Sequence, residues 1–530
     1  MSTAKPLERL STLAIALWAT LLVALLWRQM QRSLWLDEFP VILVADQNIW
    51  AAATSRVISL FTSPPYFALL SLSRTLFGQN DLALRLPSLI SALAAALVLY
   101  RIVEQLLDKK TATLTLIFFL SCPHIIWAAT TTRPYVLAIL FLHLAWLELL
   151  KWQRELNLLR GLLAVLFGAA AVWCHATFLF PAVALALWAL LSLKTPGVLR
   201  QLIFMGLAAA LLIGGCFLYS LAPLWQSHDF LARHVRTPDW LDLVAALTPL
   251  LCWLLMLRVQ TKFSTPTTVT TKLFNALYLA VLPLVAAISI LELQTSAILL
   301  FPVLAAFFFF SFSSQTPPPN FHKTHMFCLW FALPLLISFG MHTGFGLRIF
   351  FSRYLISIYA PATVILALLF GPLRIRALSM LGGCLLATLT LAQTYLFTPE
   401  STEDWRGALG KIAELERTHE LDVFLQPCFS EQLSVEWIND PKVKEVLLSP
   451  LKRYSVKSKV QYVPCLLDYP PFRKVFEDQI EDTFKARRSF VLLTRYENTS
   501  RELVNSWAAA NGYASPQFFY FGMIEVALYQ

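Results

Sequence analysis

Two adjacent carboxylates lie in the stretch Ser33-Leu34-Trp35-Leu36-Asp37-Glu38-Phe39, a few residues after a long apolar run. The run extends from Leu10 to Trp27, is long enough to cross a membrane, and follows the basic residues Lys5 and Arg9. Residues 28–32 lack the small-residue pattern of a signal-peptide cleavage site, so we interpret the run as a retained first span. The two acids are therefore predicted to lie at a membrane surface.

The composition is typical of an integral membrane protein. Of the 530 residues, 57% are hydrophobic and only 14% are charged, whereas soluble proteins carry about 25% charged residues. The net charge of +10 comes from basic residues spread between apolar runs, which fits the positive-inside rule better than nucleic-acid binding. No Cys-x-x-Cys motif or cysteine–histidine cluster in the sequence suggests a zinc or redox site.

The apolar runs predict a mainly α-helical, polytopic membrane protein with about 13 transmembrane helices. The predicted spans are Leu10–Trp27, Leu84–Val103, Ala112–Ala128, Tyr135–Leu150, Leu162–Thr177, Phe180–Leu193, Leu202–Leu221, Leu241–Leu257, Phe274–Leu291, Ala297–Phe312, Met326–Met341, Tyr354–Phe370 and Ala377–Tyr395. With a cytoplasmic N-terminus, every loop on that side carries lysine or arginine. An odd number of spans then places the C-terminal segment outside.

We expect two domains. Residues 1–397 would form the transmembrane domain, with a long outer-face loop at 28–83 that holds short amphipathic helices on the membrane surface. Residues 398–530 have an ordinary soluble composition and predict a small extracytoplasmic α/β domain. Its predicted elements are helices at Asp404–Arg417 and Glu502–Asn511 and strands at Val423–Gln426, Val460–Val463, Ser489–Leu493 and Met523–Leu528. Cys428 and Cys465 could form a disulfide there or remain buried thiols.

Ionisable residues collect at the predicted outer ends of the spans. They are Asp37, Glu38, Arg85, His124, Arg133, His175, Arg348 and Arg353. Any single arginine at a span end could simply extend to the lipid headgroups, and that alternative stays open for each one. As a set, however, these arginines run against the positive-inside bias. They predict an anionic substrate, such as a lipid phosphate held by guanidinium groups. The loop residues His228, Arg233, His234 and Arg236 are interpreted mainly as solvated.

The two acids could act in catalysis or in metal binding. Asp37 could take a proton from an attacking hydroxyl, and Glu38 could orient it. A divalent metal would need several oxygen ligands, yet the second outer loop, Cys122–Pro134, contains no carboxylate. We therefore favour chemistry without a cofactor, while a divalent metal stays possible.

Seven short motifs follow one another along the chain. They are Trp35-Leu36-Asp37-Glu38, Ser63-Pro64-Pro65-Tyr66, Arg85-Leu86-Pro87-Ser88, Thr132-Arg133-Pro134-Tyr135, His175-Ala176-Thr177-Phe178, Ser352-Arg353-Tyr354-Leu355 and Glu403-Asp404-Trp405-Arg406. In this order, the chain resembles the multispan C-type glycosyltransferases that use polyprenyl-phosphate sugars. The resemblance is to bacterial relatives of protein O-mannosyltransferases, lipid A aminoarabinose transferases and lipopolysaccharide-core galacturonosyltransferases. One departure is Ser63, where histidine is common in the family.

The resemblance implies a C-type glycosyltransferase fold in the plasma (inner) membrane and a role in the cell envelope. The donor would be a polyprenyl-phosphate sugar, and the acceptor a lipid, a glycan or a protein. Asp37 would be the catalytic base, supported by Glu38. The residues implied in substrate binding are Arg85, Arg133, His175, Arg353 and Tyr354. For His175, a satisfied histidine at a helix end is an equally good interpretation.

The predicted reaction is transfer of a monosaccharide to an acceptor hydroxyl on the outer face of the membrane, with inversion at the anomeric carbon. The rival hypotheses are a lipid or glycan transporter or flippase, and a non-enzymatic assembly scaffold. A transporter would more naturally place ionisable groups near the middle of the membrane and show paired repeats. This sequence shows no such repeat.

Overall fold

The structure is a computed structural model. It describes residues 4–45, 63–191, 198–216, 238–262, 321–345, 349–350, 353–370, 376–398, 402–427, 441, 445, 447–454, 456–464, 467–495 and 500–530. Several predictions concern residues outside these ranges: the spans 274–291 and 297–312, the amphipathic stretch 48–61, the loop residues His228, Arg233, His234 and Arg236, and also Arg348, Cys428 and Cys465.

The described part of residues 4–398 is built almost entirely of helices. They are α1 (Ala4–Gln31), α2 (Phe39–Ala45), α3 (Pro64–Phe77), α4 (Asp81–Leu106), α5 (Lys109–Ser121), α6 (Pro123–Ala129), α7 (Tyr135–Glu155), α8 (Leu158–Cys174), α9 (Leu179–Leu191), α10 (Val198–Cys216), α11 (Trp240–Lys262), α12 (Phe321–Phe345), α13 (Tyr359–Leu369) and α14 (Arg376–Phe397). Short 3-10 turns cover Leu36–Glu38, Ala176–Phe178 and Ile356–Ile358. The mainly helical fold is thus confirmed, and each predicted span within the described ranges coincides with a helix or a pair of helices.

By length and composition, six of the described helices could cross a membrane, or seven if one bent pair counts as a single span. They are α1, α4, α7, α10, α12 and α14, with small differences at the ends. Four further apolar helices, 158–174, 176–191, 240–255 and 356–369, are shorter. The structure therefore supports a multi-pass membrane protein, and the count of about 13 spans stays a prediction.

The predicted span at Ala112–Ala128 is a bent pair of helices rather than one straight helix. The chain forms two helices, α5 and α6, whose axes differ by 65°. The break falls at Cys122, which has extended backbone angles, and Pro123 begins the second helix. Proline has no N–H to continue the helix and pushes the preceding residue out of the helical region, so the bend has a local cause in the sequence.

Helix caps and close packing define the helical region. Leu156, whose φ of 50° is left-handed, caps the C-terminal end of α7, and Asn157 caps α8 by accepting a hydrogen bond from the N–H of Leu159. Helix α8 packs between α7 and α10. A Cβ on Gly161 would lie 2.6 Å from the sulfur of Met205, so a larger residue there would force the flexible end of the Met205 side chain to move. Helix α5 packs against both α13 and α14.

The C-terminal segment contains a mixed five-stranded sheet. Its elements are α15 (Trp405–Leu415), β1 (Leu421–Gln426), α16 (Ser449–Arg453), β2 (Val460–Tyr462), α17 (Pro470–Ala486), β3 (Ser489–Arg495), α18 (Ser500–Ala510), β4 (Gln517–Phe521) and β5 (Ile524–Tyr529). The strand order is β2-β1-β3-β5-β4, with β1 parallel to β2 and β3, and β5 antiparallel to β3 and β4. Buried side chains of Phe424, Phe476 and Phe490 form part of the core. The four predicted strands and two predicted helices coincide with observed elements, whereas α16, α17 and β4 are additional.

The chain divides into two compact units. The helical unit comprises Met1–Gln29, Thr62–Tyr66 and Arg85–Thr398. The second unit, which we call the sheet unit, comprises Met30–Phe61, Phe67–Leu84 and Pro399–Gln530. The sheet unit therefore includes the acidic stretch near the N-terminus as well as the sheet. The boundary between residues 397 and 398 and the extracytoplasmic location of the C-terminal segment stay predictions.

A polar cluster around Asp81 connects distant parts of the sheet unit. The Asp81 carboxylate pairs with Arg453 at 2.8 Å and also with Arg406. The hydroxyl of Tyr454 donates to the same carboxylate at 3.2 Å. Burial, together with the negative charge of Asp81, raises the pKa of Tyr454, so its hydroxyl stays protonated as a donor. This cluster fixes Arg406, Arg453 and Tyr454 to Asp81 within the sheet unit.

Candidate functional site

The two predicted acids occupy a single 3-10 turn, Leu36–Glu38, which we call the acidic turn. Its first hydrogen bond runs from the N–H of Glu38 to the carbonyl of Trp35 at 2.9 Å. The Glu38 carboxylate folds back and accepts from the N–H of Trp35 at 3.0 Å. The Glu38 side chain is fully buried, whereas Asp37 is half-buried. Of the two acids, Asp37 is thus the one that is partly accessible.

This geometry gives Glu38 a positioning role in the acidic turn. A carboxylate that accepts a hydrogen bond from a backbone N–H near the start of a turn stabilises the local main-chain conformation. The predicted support of Asp37 by Glu38 is compatible with that contact, because Asp37 lies between the two bonded residues in sequence. The catalytic roles of both acids stay predictions.

Four other predicted residues lie together with Tyr135 in the helical unit, in an arrangement that we call the arginine–aromatic row. It consists of Arg133, Tyr135, His175, Tyr354 and Arg353. The His175 ring lies in the middle, with ring centroids 4.9 Å from Tyr135 and 5.7 Å from Tyr354. The guanidinium carbon of Arg133 is 5.6 Å from the Tyr135 ring centroid, and that of Arg353 is 5.2 Å from the Tyr354 centroid. Both arginines are within the range of a cation–π interaction.

The members of the row come from different parts of the chain. Tyr135 is the first residue of α7 and Arg133 precedes it by two, His175 directly follows α8, and Arg353 and Tyr354 precede the 3-10 turn Ile356–Ile358. Each side chain thus comes from a helix end, where the main chain changes direction. The His175 ring is fixed further by its Nδ1 atom, 2.8 Å from the hydroxyl oxygen of Thr177. Such an arrangement presents positive charge at two ends of an aromatic surface, which suits an anion with an adjoining organic group.

Arg85 is fully buried on α4, three residues before Ser88. Residues three apart on a helix lie on the same face. The Ser88 hydroxyl donates to the backbone carbonyl of Arg133 at 3.2 Å, and its oxygen is 2.8 Å from the hydroxyl of Tyr66. Because the serine hydroxyl has only one proton, Tyr66 is the donor in the second bond. Ser88 therefore links the face of α4 that carries Arg85 to the backbone of the row.

Three residues of this region were not among the predicted site residues. Tyr66, Ser88 and Tyr135 each stand at the last position of a motif that we quoted for the resemblance. The motifs were therefore a sufficient signal to find them, but sequence alone gave no reason to assign these hydroxyl and ring groups a contact.

Two further residues that the sequence analysis singled out are His124 and Ser63. His124, in α6, packs against Tyr359 with ring centroids 4.4 Å apart and ring planes tilted by 32°. Ser63, which stands where the family commonly has histidine, is 2% exposed just before α3. Within the described ranges, no group of three or more His, Cys, Asp or Glu residues could hold a metal ion. Chemistry without a metal stays a prediction.

The sequence was compared with models of known protein families. Residues 62–219 match the family model of dolichyl-phosphate-mannose-protein mannosyltransferases. The resemblance inferred from the motifs is confirmed over this stretch. It includes Arg85, Arg133 and His175, whereas Asp37 and Arg353 lie outside it. No curated protein sequence matches the chain.

Among solved structures, the chain is similar to ArnT from Cupriavidus metallidurans. The match to the apo crystal structure has a TM-score of 0.45 and 13% sequence identity, and it covers 97% of each chain. The match to the crystal structure bound to undecaprenyl phosphate has a TM-score of 0.47 and 13% identity, and it covers 99% of this chain and 98% of the other.

Proposed function

We propose that the protein is a membrane glycosyltransferase that moves a monosaccharide from a polyprenyl-phosphate sugar to an acceptor hydroxyl. The arginine–aromatic row is the observation that carries the proposal. Its residues Arg133, Tyr135 and His175 fall in the stretch that matches a mannosyltransferase family whose donor, by its description, is a lipid-phosphate sugar. A phosphate in this row would meet two permanent positive charges.

The arginines would act mainly on the leaving group. When the bond between the anomeric carbon and the phosphate oxygen breaks, its electron pair stays with the lipid phosphate, which gains one negative charge. A guanidinium that binds the phosphate more strongly after this gain stabilises the transition state more than the bound donor. Leaving-group departure then needs no separate acid, because a phosphate is already a good leaving group.

Asp37 is the proposed base. The acceptor hydroxyl oxygen would form the new bond to the anomeric carbon, and its proton would pass to the Asp37 carboxylate. A single displacement of this kind inverts the anomeric configuration. Glu38 would help through the backbone contact with Trp35, and His175 and Tyr354 would contact the sugar or its phosphate.

The proposed setting is the plasma (inner) membrane, with a cytoplasmic N-terminus and the reaction on the outer face. The polyprenyl chain of the donor would stay among the membrane lipids, and the acceptor would be a lipid, a glycan or a protein of the cell envelope. No cofactor is included in this proposal.

The test uses purified full-length protein in lipid nanodiscs. A panel of undecaprenyl-phosphate and dolichyl-phosphate hexoses and pentoses, each isotope-labelled in the sugar, is offered with extracted envelope lipids, glycans and proteins. We expect the labelled sugar of one donor to appear on an acceptor, together with an equal amount of free polyprenyl phosphate. NMR of the product is expected to show an anomeric configuration that is inverted relative to the donor. If the protein reconstituted in liposomes only reorients intact lipid sugar between leaflets, it is a flippase and the proposal is overturned.

A further inference from the structure

A buried carboxylate near the start of the C-terminal segment, Glu403, is bonded to the main chain of the acidic turn. Its Oε2 atom accepts from the backbone N–H of Leu36 at 2.8 Å and from the indole N–H of Trp405 at 3.0 Å. Its Oε1 atom pairs with the guanidinium of Arg495 at 2.6 Å. We propose that Glu403 is a positioning residue, which holds the acidic turn in the conformation that presents Asp37 to the acceptor.

The acidic turn depends on two carboxylates for its main-chain hydrogen bonds. The N–H of Trp35 donates to Glu38 within the turn, and the next N–H, that of Leu36, donates to Glu403. Backbone N–H groups at the start of a helical turn have no partner inside the turn, so each needs an external acceptor. Glu403 provides this acceptor for the residue directly before Asp37, and the main-chain direction at Asp37 follows from it.

Glu403 is itself fixed to the sheet. Its backbone pairs with Gly522, in the turn between β4 and β5. The flanking bonds run from the N–H of Met523 to the carbonyl of Thr402 at 2.7 Å and from the N–H of Asp404 to the carbonyl of Phe521 at 3.2 Å. Its ionic partner, Arg495, is the last residue of β3. The acceptor for Leu36 is therefore held by two separate parts of the sheet.

Neighbouring contacts hold the same stretch on either side of the acidic turn. The hydroxyl oxygen of Ser33 accepts from the backbone N–H of Arg406 at 3.1 Å. On the other side, the Phe39 ring packs edge-to-face against Trp405 and Tyr454, with centroids 6.2 and 6.1 Å away. These contacts confine the ends of the turn, whereas the Glu403 bond holds the N–H of Leu36 inside it.

The surroundings of Glu403 suit a charged acceptor. Glu403 is only 3% exposed, and a buried carboxylate is tolerated when a cation and hydrogen-bond donors surround it. Arg495 provides the cation, and Leu36 and Trp405 provide the neutral donors. Removing the carboxylate leaves the Leu36 N–H without its acceptor, so the acidic turn can relax to other conformations. This inference rests on the proposed function in one respect, which is that Asp37 is taken as the base.

The test compares three variants of the full-length protein in nanodiscs. Glu403→Ala removes the acceptor, and Glu403→Gln keeps one oxygen for Leu36 and Trp405 but loses the ion pair. Asp422→Ala is the matched control, because Asp422 is a buried carboxylate of the same sheet that accepts from Thr483 at 2.6 Å and pairs with Arg488 at 3.4 Å. Thermal unfolding establishes that each variant is folded before kinetics are measured.

We expect Glu403→Ala to lower kcat by about 100-fold while KM for the polyprenyl-phosphate donor stays within about 2-fold, because the base is misplaced but the donor site is unchanged. Glu403→Gln is expected to restore at least about one tenth of the wild-type kcat, since the neutral hydrogen bonds can form again. The control is expected to lower stability and to leave kcat within about 2-fold. If Glu403→Ala and the control change kcat equally, or if only KM rises, the positioning role is overturned.

Hydrogen–deuterium exchange tests the contact without relying on activity. Faster exchange of the peptide that contains residues 33–39 in Glu403→Ala, but not in Asp422→Ala, would support the positioning role. Unchanged exchange would overturn it, whatever the kinetics. A wild-type protein that transfers no sugar from any polyprenyl-phosphate donor would instead overturn the proposed function, and the exchange result would still decide whether Glu403 holds the turn.

Discussion

The acidic turn and the arginine–aromatic row are fixed in different ways. In the turn, two carboxylates bond successive backbone N–H groups, and one of these carboxylates belongs to Glu403, 367 residues after Leu36. In the row, side chains from separate helix ends contact one another through ring faces and guanidinium groups. We therefore expect one substitution at the distant Glu403 to disturb the whole acidic turn. In the row, by contrast, each substitution should remove one contact and lower the rate of sugar transfer by a further step.

The largest effect is expected for Asp37→Asn. If Asp37 is the base, its amide replacement cannot take the acceptor proton, and the rate of sugar transfer should fall by about 1,000-fold, within the usual range for general base catalysis. Single-turnover transfer from the labelled donor measures this. Asp108→Asn is the control, because Asp108 caps α5 by accepting from the N–H of Thr111 and asparagine caps equally well. A normal rate of sugar transfer by Asp37→Asn would show that the acidic turn does not provide the catalytic base.

A smaller loss is expected for Arg133→Ala. Losing a charged partner of the donor phosphate should lower kcat/KM by about 10- to 100-fold, which corresponds to about 1.5–3 kcal/mol for a hydrogen bond to a charged group. Arg133→Lys should be intermediate, since it keeps the charge but not the planar fork. The matched control is Arg101→Ala, an exposed arginine on α4 that pairs with Glu104 at 3.0 Å. Equal steady-state constants for both alanine variants would contradict phosphate binding by the row.

The smallest effect is expected at Ser88, whose hydroxyl bonds the main chain of the row. Ser88→Ala removes the bond to the Arg133 carbonyl and the acceptor for Tyr66, and should lower the free energy of unfolding by about 1 kcal/mol. Tyr66→Phe and the double variant complete a double-mutant cycle, in which non-additive changes in melting temperature would show that the two hydroxyls are coupled. Ser91→Ala is the control, because its hydroxyl bonds only one turn back on the same helix, at 2.7 Å to the Pro87 carbonyl. Additive effects would mean that Ser88 does not link Tyr66 to the row.

Much of the fold follows from local patterns in the sequence. Long apolar runs predicted the helices, and alternating or continuous apolar stretches predicted four of the five strands. Helix α17 was also predictable, because Phe472, Phe476 and Ile480 recur every four residues and are all buried. The broken span was predictable as well, since Pro123 lies inside the apolar run and proline rarely continues a helix.

The candidate site was predictable only in part. The motifs placed Arg133, His175, Arg353 and Tyr354 at span ends, and the structure brings these four together. The contact between Glu403 and Leu36 has no local signal, because the partners are 367 residues apart and one of them contributes only its backbone. The inward fold of Glu38 depends on turn geometry rather than residue pattern. Long-range and main-chain contacts of this kind need the three-dimensional structure.

The separation between Leu36 and Glu403 also sets an order of events during synthesis. A ribosome adds about 5–20 residues per second, so Glu403 is made about 20 to 70 seconds after Leu36. Its anchors in the sheet, Arg495 and the β4–β5 turn, are made later still. The helices can therefore be inserted long before the acidic turn acquires its last main-chain partner, and a nascent chain acquires its complete turn only when synthesis is almost finished.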